Sequence, residues 1–339
     1  MEILNKNVCI FGLGFVGNAM FNSFKNKGLE ENINLFVYDK FKNGGIGSMS
    51  DGLLCGIIFL SLPTLYDENS GCYDKSAIHD CCNYLSENNY SGVIVIKSTV
   101  EPETTDNLSK TYHNLSFIHN PEFLTARTAY EDFHSQSHIV LGKSVNCPEY
   151  KLQVLQEFYL KYYPNVEFSI CTSLESESMK IFSNSFYSIK IQFFTELYLL
   201  TKSNGSDYNK IVDIMLKNNW INPKHTNVPG PDGQISYGGL CFPKDTNALN
   251  KYMEKNNCPN KVIESCICER NDMRDDNYNI TKKSNDYDYT KIIDMIYKKN
   301  NRINPKHTKV SGLDDQISYD NLCSSKDTNK YIEKNNYPN

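Results

Sequence analysis

One cysteine, with a lysine three and an aspartate four residues after it, is presented by a run of glycines. The stretch is Gly230-Pro-Asp-Gly-Gln-Ile-Ser-Tyr237-Gly238-Gly239-Leu-Cys241-Phe-Pro-Lys244-Asp245. An ammonium beside a thiol is expected to lower its pKa and favour the nucleophilic thiolate. The plainer reading of such a cysteine is a buried structural thiol. The same stretch recurs near the end as Gly312-Leu-Asp-Asp-Gln-Ile-Ser-Tyr-Asp320-Asn321-Leu-Cys323-Ser324-Ser325-Lys326-Asp327. That copy keeps the reactive side chains but has side chains where glycine would let a backbone approach a ligand. Cys323 is therefore expected not to be catalytic.

Three further constellations could do chemistry. Gly12-Leu-Gly14-Phe15-Val16-Gly17 follows an apolar run and opens a helical pattern, with Asp39 22 residues after Gly17. The glycines give a tight turn, close pyrophosphate approach and helix packing, and the helix N-terminus faces the phosphates. Asp39 can accept ribose hydroxyls and disfavours a 2′-phosphate, so NAD is expected as cofactor rather than NADP. Lys180 and Asn184 share a helix face at i, i+4, which spacing alone also allows as a solvated polar stripe. Glu122, in Asn120-Pro-Glu122-Phe123-Leu124, is a loop carboxylate able to act as base or to orient water; by itself the stretch is also an ordinary turn.

These groups need a scaffold. Short apolar runs at 8–11, 35–38, 56–60, 93–96, 117–119, 139–141 and 166–170 read as buried strands, alternating with helical segments such as 15–27, 76–85 and 148–162. The pattern predicts an α/β fold, a Rossmann-like doubly wound parallel sheet covered on both faces. Residues 174–202 contain no Gly or Pro and predict one long spine helix. A smaller helical substrate domain follows, with Asp207 as an N-cap and helices at 207–217, 247–256 and 261–270. The expected division is 1–172 for NAD binding, 173–275 for the spine and catalytic residues, and 276–339 as a tail. Residues 288–339 repeat 207–260 nearly in order without the long helix and sheet, so poor packing is expected there.

Composition narrows the classes. A length of 339 residues suits about two domains. A net charge of −5 with intermixed signs offers no face for nucleic acid, and no apolar run approaches a membrane span. The first residues do not read as a signal peptide. A soluble, cytoplasmic protein with no nucleic-acid or membrane partner is expected. The twelve cysteines are scattered, without paired C-x2-C hooks, so reduced thiols and no metal site are expected.

Taken in order, these motifs resemble the UDP-glucose 6-dehydrogenase family, within the UDP-glucose/GDP-mannose dehydrogenases. The matching stretches are Gly12–Gly17, Leu60-Ser-Leu-Pro63-Thr64, Lys97-Ser98-Thr99-Val100, Asn120–Leu124 with Thr128-Ala129 and Asp132-Phe133, Lys180-x3-Asn184, and Gly238–Thr246. The resemblance spans roughly residues 5–275 and suggests a short two-domain form. It implies oxidation of a sugar C6 alcohol to a carboxylate with two NAD reduced, UDP-glucose becoming UDP-glucuronate, and so a part in polysaccharide precursor synthesis.

By the resemblance, Cys241 is the nucleophile, Lys180 and Asn184 stabilise the oxyanion, and Asp245 assists proton transfer. Glu122 and Thr99 handle water and protons. Pro63, Thr64, Ser98, Thr99 and Lys244 line the NAD site beside Asp39. The sugar is held by Glu122, Phe123, Leu124, Lys180, Asn184, Tyr237, Gly238 and Gly239. A homodimer through the long helix is implied on the same ground. Three departures stand out. Ala126 occupies the place of a second glutamate, Phe193-Phe-Thr-Glu196 stands where Phe-Phe-Asn-Glu is common, and the third, UDP-closing domain of larger members has no counterpart after Asp275. Three readings stay open beside this one: the same chemistry on UDP-N-acetylmannosamine or GDP-mannose, a two-electron hydroxyacid dehydrogenase, and a nucleotide-binding remnant without activity.

Overall fold

Residues 7–274 are described by the structure, a computed structural model. In chain order the elements are β1 (Val8–Phe11), α1 (Phe15–Asn26), β2 (Leu35–Tyr38), α2 (Met49–Gly52), β3 (Ile57–Leu60), β4 (Tyr66–Asp67), β5 (Cys72–Tyr73), α3 (Ser76–Glu87), β6 (Val93–Ile96), α4 (Thr104–Thr111), β7 (Phe117–His119), α5 (Ala129–His134), β8 (His138–Lys143), α6 (Glu149–Tyr162) and β9 (Glu167–Thr172). They continue with α7 (Ser173–Asn204), α8 (Tyr208–Leu216), α9 (Phe242–Lys255) and α10 (Lys261–Met273).

Period-two alternation makes the short strands two-faced. Val8 and Ile10 enter one core with Phe24, Phe59, Phe133 and Tyr159, whereas Cys9 and Phe11 enter the other with Ile58, Leu60, Ile94 and Ile96. Seven strands pair in the order β2-β1-β3-β6-β7-β8-β9. Adjacent strands are parallel from β2 to β7, and β8 with β9 is parallel again, but β7 and β8 are antiparallel. The sheet is thus mixed rather than wholly parallel. An antiparallel neighbour requires no crossover. The connection from β7 to β8 starts and ends at one edge of the sheet, with a single 3-10 turn (Ala126–Thr128) and the six-residue α5 within it, and Phe133 of α5 packs edge-on to Phe24 of α1.

α7 runs for 32 residues, about 48 Å at the usual rise. Its start is a capping box: the Thr172 side chain accepts from the Glu175 amide, and Glu175 accepts from the Thr172 amide in return. Its end is Gly205, at φ +75°, a left-handed stop that costs glycine little. Buried Glu177 ties the spine to the sheet domain by accepting from both the amide (2.7 Å) and the hydroxyl (2.5 Å) of Thr105. It thereby caps α4, whose own N-cap, Glu103, makes no side-chain cap. Burial raises the Glu177 carboxyl to about 8 against the pull of these bonds.

Two further parts of the sequence reading change. Helix α9 begins at Phe242, five residues before the expected start, because Pro243 sits in the first turn, where its missing N–H costs nothing. The hairpin β4–β5 was not expected, since two-residue strands carry no periodic signal. Among the described residues no helix is long and apolar enough to cross a membrane, and no three His, Cys, Asp or Glu side chains converge to hold a metal. The tail at 276–339, with Cys323, lies outside the described residues.

Candidate active site

At the C-terminal edge of β1 the glycines are held by contact. Gly12 has φ +92°, and a Cβ there would stand 2.4 Å from the Ser61 carbonyl oxygen; one on Gly17 would stand 1.8 Å from that of Gly12. Gly14 is the N-cap of α1, without a side-chain cap, and the first turn (Phe15, Val16, Gly17) contains no carboxylate. The positive end of α1 is therefore free to face an anion. Asp39 accepts from Leu13 N (2.8 Å) through one oxygen and from Phe41 N (3.0 Å) and Lys42 N (2.9 Å) through the other. A carboxylate has about four lone-pair sites, so acceptor capacity for a ribose remains. Lys42, not singled out in the sequence, donates to the Leu13 carbonyl at 2.9 Å and braces the same loop. A dinucleotide fits these residues.

The loops after β3 and β6 are stitched together beside that turn. The Ser98 hydroxyl accepts from Leu62 N (2.9 Å) and donates to Leu62 O (2.7 Å), while Thr64 donates to Thr99 O at 2.7 Å. The Ser98 side chain is thus committed to shaping the loop. Pro63 lies between the two stitches, and Thr99 is half-buried next to them.

Three elements bring the other predicted residues together. Cys241 is the N-cap of α9, and Asp245, one turn on, is fully buried. The Asp245 carboxylate accepts from Tyr73 Oη at 2.5 Å, Lys244 Nζ at 2.5 Å and Asn184 Nδ2 at 2.6 Å. Lys180, one turn before Asn184 on α7, pairs with Glu122 Oε1 at 3.1 Å and also donates to the Glu122 carbonyl. The other Glu122 oxygen accepts from Leu124 N at 2.6 Å, and the half-exposed ring of Phe123 lies 5.4 Å from the Lys180 ammonium. Burial is the largest single influence and opposes the charge on Lys180, but Glu122, Cys241 and Asp245 together outweigh it, and Lys180 is held above the ordinary lysine value.

The thiol departs from expectation. Cys241 reaches solvent, but protein atoms surround its sulfur densely. That crowding and the Asp245 carboxylate, with Glu122 adding, push the thiol above its ordinary value; Lys244 and Lys180 pull the other way without prevailing. Lys244 fails as an activator because its charge is already paired with Asp245. The amino end of α9 favours an anion at the sulfur, so negative charge is best accommodated there as it develops during reaction.

The glycine-rich loop before Cys241 is fastened from behind. Arg270 donates to Tyr237 O (3.1 Å), Arg274 donates to Ile235 O (3.1 Å) and Ser236 O (3.0 Å) and pairs with Asp232, and Ser236 donates to Gln192 of α7 at 2.6 Å. The Tyr237 side chain is enclosed at 1% exposure, so it offers a ligand only its backbone. A Cβ on Gly238 would meet the Arg274 guanidinium at 2.3 Å, whereas Gly239, at φ +80°, has open space around it. A side chain at Gly238 would thus have to push the Arg274 guanidinium aside, and Gly239 is favoured by its backbone angle.

Glu122 also lines a cavity of about 270 Å³ with Lys97, Phe123, Leu124, Asp132 and His138, among others, and Cys241 does not line it. Lys97 donates to Asn120 Oδ1 (3.1 Å) and Pro121 O (3.4 Å); burial lowers it to about 7, Lys180 adding and Glu122 opposing. Tyr73 and Lys97 were not among the expected site residues. Lys97 at least lay within the Lys97–Val100 stretch; nothing local marks Tyr73.

Residues 48–162 match the NAD binding domain, and residues 174–272 the central domain, of the UDP-glucose/GDP-mannose dehydrogenase family. The glycine turn at 12–17 precedes the first match and rests on its geometry. A UDP-glucose 6-dehydrogenase of Rickettsia felis is 32% identical over 221 residues, covering 62% of this chain and 46% of that protein. The chain spans about half the length of the curated relatives it matches. In fold it is similar to a UDP-glucose dehydrogenase from Pyrobaculum islandicum (TM-score 0.67, 20% identity, 79% of this chain and 68% of that one). It is also similar to a 3-hydroxyisobutyrate dehydrogenase from Mycobacterium tuberculosis (TM-score 0.59, 12% identity, 78% and 92%). Two successive domains of one family, together covering more than half of the sequence and in the family's order, place the chain: it belongs to the UDP-glucose/GDP-mannose dehydrogenase family.

Proposed function

We propose that this chain oxidises the C6 hydroxyl of a nucleotide sugar, UDP-glucose, to the carboxylate, with residues 1–172 holding NAD and 173–275 the sugar. The observation that carries the reading is the convergence on Cys241 of Asp245, Lys180, Asn184 and Glu122 from three separate elements. Bound NAD, held by the glycine turn, Asp39 and the Pro63–Thr64 and Ser98–Thr99 loops, supplies the hydride acceptor for two oxidations. Glu122, with Thr99, takes the proton released from the hydroxyl, directly or through water. The Cys241 thiol then gives up its proton, with Asp245 assisting the transfer to water, as the sulfur bonds to the aldehyde carbon and the C=O π pair moves onto oxygen as an alkoxide.

Donor counting supports this. Lys180 has three N–H groups and spends two on Glu122; Asn184 has two and spends one on Asp245. One donor from each remains for the oxyanion. After the second oxidation the carbon is held as a thioester, which water, oriented by Glu122, cleaves to release the carboxylate and the thiol. The balance is RCH2OH + 2 NAD+ + H2O → RCOO− + 2 NADH + 3 H+.

Other sugars of this chemistry, UDP-N-acetylmannosamine and GDP-mannose, differ in groups remote from C6. A two-electron hydroxyacid dehydrogenase shares the fold, but has no use for a thiol among oxyanion donors. The test is an NADH assay on a panel of UDP- and GDP-sugars with product quantified. Two NADH per carboxylate are expected; one per product would overturn the reading, and calorimetric binding of NAD and sugar without reduction would favour a remnant.

We infer a second copy of this chain as partner. Phe182, Phe186, Phe193 and Leu200, spaced 4, 7 and 7 apart along α7, are each at least half exposed and share one face. Sedimentation is expected to give twice the chain mass, and Phe186→Asp half of that; a monomeric wild-type protein would exclude it.

A further inference from the structure

We propose that Tyr73 is a positioning residue for the Cys241 thiol, its hydroxyl fixing the buried Asp245 carboxylate and dispersing the charge that Asp245 directs at the sulfur. The inference deepens the reading above, since it takes Cys241 as the reacting group.

Tyr73 ends the β4–β5 hairpin, 172 residues before Asp245, and is almost completely buried. Its ring packs edge-on to Tyr66 at 6.4 Å, in a cluster with Ile181 of α7 and Leu249 of α9. Its hydroxyl donates to Asp245 Oδ1 at 2.5 Å, and the Lys244 ammonium stands 4.2 Å from its ring centre. At the other end, its backbone N–H donates to the Glu101 carboxylate, which pairs with Lys75 at 2.7 Å. Glu101 lies two residues beyond Thr99, so the hairpin joins the loop expected to hold the cofactor to the helix that carries the thiol.

The chemistry follows from what Asp245 lacks. It has no solvent, and its donors are Tyr73, Lys244 and Asn184. Lys244 and Asn184 each serve a second role in the proposed site, and Lys244 is itself seated on the Tyr73 ring. Tyr73 is the donor whose function is confined to the carboxylate. A hydrogen bond to a buried carboxylate draws charge from it and fixes its plane. The charges facing the sulfur are Asp245 and Lys244 on its own helix, Lys180 on α7 and Glu122 on the loop after β7. Without the hydroxyl, Asp245 would present more charge to the thiol and be held by Lys244 and Asn184 alone.

The test is the pH profile of Cys241 alkylation by iodoacetamide, read by peptide mass spectrometry on the full chain, in wild type, Tyr73→Phe, Asp245→Asn and the double variant. Tyr73→Phe is expected to raise the alkylation midpoint by about 0.5–1 pH unit, and Asp245→Asn to lower it. The double variant is expected to match Asp245→Asn alone, because Tyr73 acts through that carboxylate. In turnover, Tyr73→Phe should lower kcat about ten-fold with KM unchanged. An unchanged midpoint in Tyr73→Phe, or the same upward shift in both backgrounds, overturns the proposal. Phe keeps the ring beneath Lys244 and against Tyr66, so loss of the fold in Tyr73→Phe would also overturn it, leaving Tyr73 a purely structural role. Alkylation requires neither sugar nor NAD. A chain that never turns over, but whose alkylation depends on Tyr73, would sink the dehydrogenase reading and leave this inference intact.

Discussion

Replacing Cys241 with serine is expected to remove NADH production with a nucleotide sugar by at least about a thousand-fold, the scale on which covalent nucleophiles fail when exchanged. The hydroxyl is smaller, far less acidic than a thiol, and a poor leaving group once the acyl-enzyme must be hydrolysed. The first oxidation does not need the sulfur, so the loss should fall on the second: a trace of aldehyde and one NADH per enzyme would fit, and steady carboxylate formation would not. The control is Cys323→Ser in the repeated stretch, expected to leave the rate unchanged, because Asp320 and Asn321 replace the paired glycines and Ser324-Ser325 the apolar pair after the thiol. The structure supplies a reason for the first of these glycines: a side chain at Gly238 would displace Arg274, whose bonds fasten the loop that presents Cys241. Activity lost with Cys323 and kept without Cys241 would reverse the assignment.

What could be read beforehand divides along a physical line. The run Val8–Phe11 was legible because four apolar residues followed by Gly12 suit only a short buried strand. The spine helix was legible because nothing in it breaks a helix, and Gly205 ends it. The direction of β8 was not, since strand polarity depends on where the connection returns, and the 120–137 segment shows that only through the packing of α5. The start of α9 was misjudged because Gly238, Gly239 and Pro243 all read as loop punctuation, although proline is at home in a first turn. Tyr73 could not be found, because its partner is 172 residues away and its own neighbours are unremarkable in type. The thiol's acidity was misread for a related reason: Lys244 was weighed as a neighbour in sequence, whereas in space it is already the counter-ion of Asp245. Local grammar finds elements and motifs; the state of a charged group depends on which partner reaches it first.

That distinction gives the second large effect. Lys180→Met is expected to lower kcat by about a hundred- to a thousand-fold, the usual loss when one preorganised oxyanion donor is removed. Methionine roughly matches the length of the lysine stem, so the packing of α7 is largely retained and the change is chiefly one of charge and donors. Two consequences separate the oxyanion role from mere support of Glu122. Lys180 is one of the two cations that pull the Cys241 thiol downward, so its removal should raise the pH at which the thiol is alkylated. Glu122→Gln, which weakens the same ion pair from its other side while leaving the ammonium in place, should shift alkylation in the opposite direction, because a carboxylate that raises the thiol has been neutralised. If Lys180 served only to hold Glu122, the two variants would lose similar activity. A kcat within about ten-fold of wild type in Lys180→Met would remove lysine from the catalytic role altogether. Opposite alkylation shifts with a deep loss of kcat would place the ammonium where negative charge develops on the sugar carbon's oxygen.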